Sequence, residues 1–213
     1  MSHIGKKIIA AVILLVLMAL LPFAASKCTD TSKRSPIKHE AVDDKTDSTS
    51  KNTSKSDNEI LCGLTVAACK KDYCDEAVKA IAILLNTDYS VNPDSFDLNN
   101  EAVYIEKEGL NNSGKEFYSR IEKIVNSNLE LYLTVNNKRV YIPYQKSSCG
   151  YTLDSKDCEY IISVASPWDC FSSDYSENAE CVGVSLDGVD YLCKNGASAE
   201  EALKWYLNSF EVS

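Results

Sequence analysis

Residues 8–25 read IIAAVILLVLMALLPFAA, a run without a single charged side chain, and residues 26–59 after it contain no Phe, Trp or Tyr. Together these two stretches confine any folded core to residues 60–213 of the 213-residue chain. Eighteen residues at the helical rise span roughly 27 Å, close to the hydrocarbon thickness of a bilayer. Lys6 and Lys7 precede the run, which predicts a cytoplasmic segment at 1–7, a signal-anchor at 8–25 and export of residues 26–213. A cleaved signal peptide is the competing reading, because Ala24-Ala25-Ser26 has the small residues of a cleavage site. The run is long for that role, so the anchor is favoured. Cys28 comes after Ser26-Lys27, and a lysine where a small residue is needed argues against lipidation. The Ser/Thr/Lys/Asp-rich 26–59 stretch buries too little apolar surface to offset ordering entropy. It is expected to be a disordered stalk.

The formal net charge is −9, with no basic stripe against it, which excludes nucleic acid as a partner class. An acidic surface otherwise serves solubility. Eight of the nine cysteines fall within 60–213. In an exported domain an even number suggests disulfides, but eight cysteines allow 105 pairings. Free buried thiols pack equally well as small hydrophobes. A zinc site is the third reading. It would rest on thiolates alone, because His3 and His39 lie outside the domain and no C-x-x-C pair is present. No metal or cofactor is expected.

Within the domain, Ile60, Leu61, Leu64 and Ala68 suit a short helix, and Ala77, Val78, Ile81, Leu84 and Leu85 recur at helical spacing. Asp72 or Asp75 is a candidate cap for the second helix. Residues 86–100, rich in Asn and Asp and containing Pro93, read as loop. Phe117, Ile121, Ile124 and Val125 define a third helix over 115–127, with Ser113 as its cap. Leu129, Leu131, Leu133 and Val135 alternate with polar or amphipathic residues, the period of a strand. Asn136-Asn137 then offers a tight hairpin turn into a return strand at 140–144. A further strand is expected at 160–164. A helix over 187–194 stops at Asn195-Gly196, and Ser198-Ala199-Glu200-Glu201 opens a last helix with a capping box. Helices and hairpins mix without βαβ regularity, so the fold class is α+β, mixed helices with a small antiparallel sheet in a single extracytoplasmic domain.

Four segments, in order, carry a resemblance. Cys74-Asp75-Glu76-Ala77-Val78-Lys79-Ala80-Ile81-Ala82 resembles the P-L-E-A-L-K-A-Q-A helix of the stage II sporulation protein D family, which includes the LytB amidase-enhancer proteins. Ser147-Ser148-Cys149-Gly150-Tyr151-Thr152 is similar to its H-S-S-S/C-G-G-x-T segment. The run from Tyr160 to Asp169, ending Ser166-Pro167-Trp168-Asp169, resembles Y-L-x-S-V-x-x-P-W-D. Gly183-Val184-Ser185-Leu186-Asp187-Gly188 and the last helix resemble the closing G-M-S-Q-Y-G-A…E-E-I-L-K-x-Y-Y block.

The resemblance covers nearly all of 60–212. It implies a membrane-anchored protein that acts on peptidoglycan glycan strands during engulfment of the forespore, beside a partner amidase of the sporulation protein P type. The family is a peptidoglycan lytic transglycosylase, and its LytB members are associated with amidase enhancement.

The chain departs from the family where chemistry is carried. Counted back without gaps from Glu76, the family's catalytic Glu falls on Ala68, and a one-residue slip puts it on Cys69. Breaking a glycosidic bond requires a carboxylic acid to protonate the leaving oxygen, and such assistance contributes about 10²–10⁴ in rate. Ala has no proton to offer, and a thiol is a poor donor with the wrong geometry. The family Gln aligns with Ile81, Arg with Asn86, His with Lys146, and Gln-Tyr with Leu186-Asp187. Weak or absent activity is therefore expected.

Three carboxylates stand as substitute acids: Asp72, Glu76 and Asp187. Asp72 is also explained as a helix-start residue, Glu76 as part of the helix motif, and Asp187 as the N-cap of the helix after it. For glycan contact the candidates are Tyr144, Ser147, Ser148, Tyr151 and Ser185. Tyr141, Trp168 and Tyr175 are further aromatics, with strand and core packing an equal explanation for Tyr141 and Trp168.

Overall fold

The computed structural model describes residues 55–213. The apolar run at 8–25 lies outside them, as does the 26–59 stretch except its last five residues. No described helix is long and apolar enough to cross a membrane.

The first helix, α1 (Asp57–Ala68), begins ahead of Ile60 because Ser56 caps it, its hydroxyl accepting from the Glu59 amide. Helix α2 (Asp75–Val91) is the central element, with eleven of its residues from Ala77 to Asp88 buried. It packs against α1, against α3 (Asn112–Asn126), and against the two C-terminal helices α4 (Leu186–Lys194) and α5 (Ala199–Tyr206). Burial on every side explains why the sequence of α2 lacks a polar stripe over 80–85. It also explains why the helix continues through Asn86, where a loop is expected. Asn86 donates its side-chain amide to the Leu129 and Leu131 carbonyls at 2.8 and 3.1 Å, and Thr87 returns its hydroxyl to the Ile83 carbonyl. The Asn86 amide and Thr87 hydroxyl, which read as loop chemistry, are thus satisfied inside the helix bundle. Pro93 then opens a 3₁₀ turn, Pro93–Ser95.

The strands are shorter than the alternation predicts. β1 (Leu133–Thr134) pairs antiparallel with β4 (Glu211–Val212), and β2 (Tyr144–Gln145) pairs parallel with β3 (Val184–Ser185). The sheet is thus two separate ladders, one of them parallel, in place of one small antiparallel sheet. Asn136 and Asn137 do take positive φ, 52° and 60°, and Val135 bridges Lys138 across the turn. The hairpin goes no further, because Ile142 is drawn into the core, where its amide donates to Asp88 Oδ1 at 2.8 Å. The segment 160–164 forms no strand; its neighbour Ala165 makes an isolated bridge to Tyr151. The architecture is α+β, predominantly helical.

Helix ends obey the sequence chemistry. Asn111, not Ser113, caps α3, accepting from the Gly114 amide at 2.8 Å. The capping box of Ser198 and Glu201 opens α5. Gly196, at φ 100°, lies just past the end of α4. Gly183 has φ 80°, and a Cβ there would stand 2.1 Å from the Pro143 carbonyl, so the β2–β3 ladder closes only around glycine.

Candidate functional site

Two of the segments that carry the resemblance meet at one cleft of about 270 Å³. Its floor is Asp187, in the first turn of α4, and its outer wall is Trp168, from the 3₁₀ turn Pro167–Phe171. Asp187 is not the cap of α4. Ser185 fills that role, its buried hydroxyl accepting from the Gly188 amide at 3.2 Å. This leaves the Asp187 carboxylate free of a capping role, and three elements converge on it. Lys70, just past the end of α1, places its ammonium 2.6 Å from one oxygen and 2.8 Å from the other. The Tyr73 and Ser172 hydroxyls each donate to it as well. Tyr73 is pushed far above the ordinary phenol range by burial and by its bond to Asp187, so it remains a hydroxyl donor. Burial works against the Lys70 charge, but hydrogen bonds to Asp187 and Asp174 outweigh it and its pKa is raised.

A second carboxylate, Asp190, lines the same cleft one turn along α4. It accepts from the Cys74 amide at 2.9 Å, which supplies the cap that the start of α2 otherwise lacks, and pairs with Lys194 at 2.6 Å. Both acids of α4 are therefore engaged as acceptors. The segment between α1 and α2 is held in place by Arg120, whose guanidinium donates to the Tyr73 carbonyl and to Asp75 at 2.6 Å each. Asp75 is thus an ion-pair partner, and the predicted cap roles of Asp72 and Asp75 are taken over by Asp190.

The aromatic wall is built with equal care for position. The Trp168 indole stacks on the Tyr191 ring at 5.4 Å between centroids and 5° between planes, and meets Trp205 at 5.3 Å. Its N–H donates to the Tyr206 hydroxyl, which also bonds Ser166 at 2.6 Å. Gly188 makes this possible: a Cβ there would lie 1.9 Å from the Tyr206 oxygen and 2.8 Å from the Trp168 nitrogen. Phe171 stands 85% exposed at the mouth, and Tyr191 and Trp205 are also exposed. An open shelf of aromatic faces beside hydrogen-bonding groups suits a ligand with one apolar and one hydroxyl-rich face.

The sequence-derived candidates divide around this cleft. Asp187 and Asp72 line it, Asp72 exposed and 3.6 Å from Lys194. Glu76 does not; its carboxylate accepts from the Ala199 amide at 2.8 Å and joins the start of α5 to α2. Ala68 closes α1 and Cys69 is buried just before Lys70, its thiol pKa pushed up by that burial. None of Tyr144, Ser147, Ser148, Tyr151 and Ser185 lines the cleft. Ser147, Ser148 and Ser185 are buried, and Ser148 donates its amide and hydroxyl to Asp169 at 3.0 and 2.5 Å. Ser185 caps α4, and the Ser147 hydroxyl meets no partner among the described residues. Tyr144 is half-buried, its pKa pushed up to about 12 by that burial, and Tyr151 is exposed away from the cleft.

Lys70, Tyr73, Ser172, Asp190 and Tyr191 are among the cleft residues that sequence reading did not single out. The i, i+3 spacing of Asp187 and Asp190 on one helix face was the available signal. The eight cysteines of the described region are free thiols, and among the described residues no three His, Cys, Asp or Glu side chains gather as metal ligands. The sequence matches no known protein-family model and no curated protein.

Proposed function

We propose that this chain is a divergent, membrane-anchored relative of stage II sporulation protein D that binds peptidoglycan glycan strands at the Trp168 cleft and cleaves them weakly or not at all. In this reading residues 8–25 anchor the domain on the extracytoplasmic side of the cell membrane, and it works with an amidase of the sporulation protein P type during engulfment. One observation carries the binding half: the stacked Trp168 and Tyr191 rings border a polar cleft whose lining includes Asp72, Ser172, Ser173 and Lys194. Sugar rings present axial C–H groups to such a shelf and hydroxyls to such polar groups.

The catalytic half rests on what the carboxylates are doing. A leaving glycosidic oxygen needs an acid within hydrogen-bond reach that is free to give up its proton. Asp187 receives donors from Lys70, Tyr73 and Ser172, and Asp190 from Cys74 and Lys194. Each serves as an acceptor. Ala68 and Cys69 supply no replacement. Asp72 favours the second reading, an active enzyme with a relocated acid, because it reaches the cleft with only a distant partner. A noncatalytic amidase enhancer is the remaining form of the same proposal.

The experiment is cosedimentation of the purified chain with amidase-treated peptidoglycan, together with measurement of the soluble products. Pelleting that is lost in Trp168→Ala, without release of anhydro-muropeptides, supports the proposal. Robust release that disappears in Asp72→Asn would establish the relocated acid instead. A chain that stays in the supernatant would end the glycan reading.

A further inference from the structure

On the other side of Lys70 lies a second opening, an apolar groove of about 710 Å³ between the end of α1 and the start of α3. Val66, Ala67 and Cys69 form one wall; Ile105, Leu110 and Phe117 form the other. Ala67, Ile105, Leu110 and Phe117 are all left partly open to solvent. The charge around this groove runs against the rest of the chain. Its lining holds Lys70 and Lys71 and no carboxylate, in a protein of net charge −9. The acids of the same loop, Glu101, Glu106 and Glu108, line an adjoining opening that shares Ile105, Gly109 and Leu110 with this groove.

Lys70 is already paired with Asp187 and Asp174. Lys71 is exposed, makes no salt bridge among the described residues, and reaches only the Ser113 hydroxyl at 3.3 Å. Ser113 belongs to the first turn of α3, which carries no acidic residue, so nothing there opposes an incoming anion.

We propose that this groove docks a short segment of a partner protein in which an apolar side chain lies beside a carboxylate. The apolar side chain fills the space between Leu110, Phe117 and Ala67, and the carboxylate pairs with Lys71 above the first turn of α3. The unpaired ammonium of Lys71 favours acidic segments over basic ones. Because the groove and the glycan cleft share Lys70 as a wall, a partner seated here stands beside bound glycan. The docking inference does not depend on the glycan reading.

The test uses fluorescence polarisation of the full chain with labelled synthetic peptides that carry Leu-Phe flanked by Asp and Glu, against a matched set flanked by Lys and Arg. The acidic set is expected to bind saturably with Kd below about 1 mM, more weakly as salt rises. Lys71→Glu is expected to weaken it at least about tenfold, and Leu110→Asp to abolish it. Lys156→Glu, at an exposed lysine lining neither groove, should leave binding unchanged. Lys71 is itself exposed, so its variant reports on docking even where Leu110→Asp fails to fold. Equal binding of the acidic and basic sets, no binding by either, or indifference to Lys71→Glu would overturn the proposal. So would self-association in sedimentation that Leu110→Asp disrupts, or capture of anionic phospholipid vesicles in place of the peptides. Pelleting with peptidoglycan should be unaffected by Lys71→Glu, which keeps the two readings separable.

Discussion

The ammonium of Lys70 lies 2.6 Å from the carboxylate of Asp187, a residue 117 positions later in the chain. This pair fastens the end of α1 to the first turn of α4 beneath the aromatic shelf. It also places a cation immediately after Ala68 and Cys69. Replacing Asp187 by Asn removes the ion pair but keeps a side chain able to accept from Tyr73. Thermal melting should show a loss of stability of about 1–3 kcal/mol, since Lys70 is left partly buried without its main partner. If Asp187 were instead the relocated acid, Asp187→Asn would abolish glycan cleavage, an outcome read in the same muropeptide assay.

Gly188 sets the position of the shelf from below. Gly188→Ala drives a methyl into the space of the Tyr206 hydroxyl and the Trp168 indole N–H. The expected cost is about 1–3 kcal/mol, accompanied by loss of the near-ultraviolet dichroism of the stacked Trp168 and Tyr191. Glycan retention should fall about tenfold or more, the same outcome expected of Trp168→Ala, which leaves Gly188 and Tyr206 in place. A Gly188→Ala protein with normal stability and normal retention would show that the shelf is not the binding surface.

Glu76 acts in the fold. Its carboxylate caps the first turn of α5 through the Ala199 amide, next to the capping box of Ser198 and Glu201. Glu76→Ala should lower stability by about 1 kcal/mol and leave glycan pelleting untouched. A selective loss of glycan binding or of muropeptide release in this variant, with unchanged melting, would make Glu76 a functional acid again.

The core of α2 carries a pH dependence of its own. Asp88 is fully buried, with one oxygen accepting from the Ile142 amide and the other meeting no donor among the described residues. Burial raises its pKa from the ordinary 3.8 to about 8, the Ile142 bond opposing the shift. Between those two values the folded chain keeps a proton that the unfolded chain gives up. Its contribution to stability is therefore complete below about pH 4 and is lost as pH rises through about 8. Asp88→Asn cannot ionise, so the difference in unfolding free energy between variant and parent should grow in favour of the variant from pH 5 to pH 8. Urea titrations across that range measure it, and a pH-independent difference would contradict the assignment.

Helices were legible wherever an apolar face or a cap marked them. The face of Phe117, Ile121 and Val125 and the capping box at Ser198 both describe what forms. The end of α2 was not legible, because Asn86, Thr87 and Asp88 look like loop chemistry until their partners at Leu129, Leu131, Leu133 and Ile142 are known. Period-two alternation at 129–135 overstated the strand because pairing was decided elsewhere: β1 takes the C-terminal β4 as its neighbour. At the cleft, Asp187 and Trp168 drew notice through their motifs. Lys70, Tyr73 and Ser172 gain meaning only from convergence on Asp187, a relation no local spacing encodes. Ser147, Ser148 and Ser185 stand in motif segments that suggest glycan contact, yet all three are buried, Ser185 as the cap of α4 and Ser148 bonded to Asp169.

Incubation of the full chain with amidase-treated peptidoglycan, with the pellet and the soluble sugars measured together, tests the central claim most directly. The account predicts retention of the chain on denuded glycan, lost in Trp168→Ala, with little or no anhydro-muropeptide released over the incubation. Rapid release of anhydro-muropeptides by the parent chain, or retention indifferent to Trp168, would contradict it.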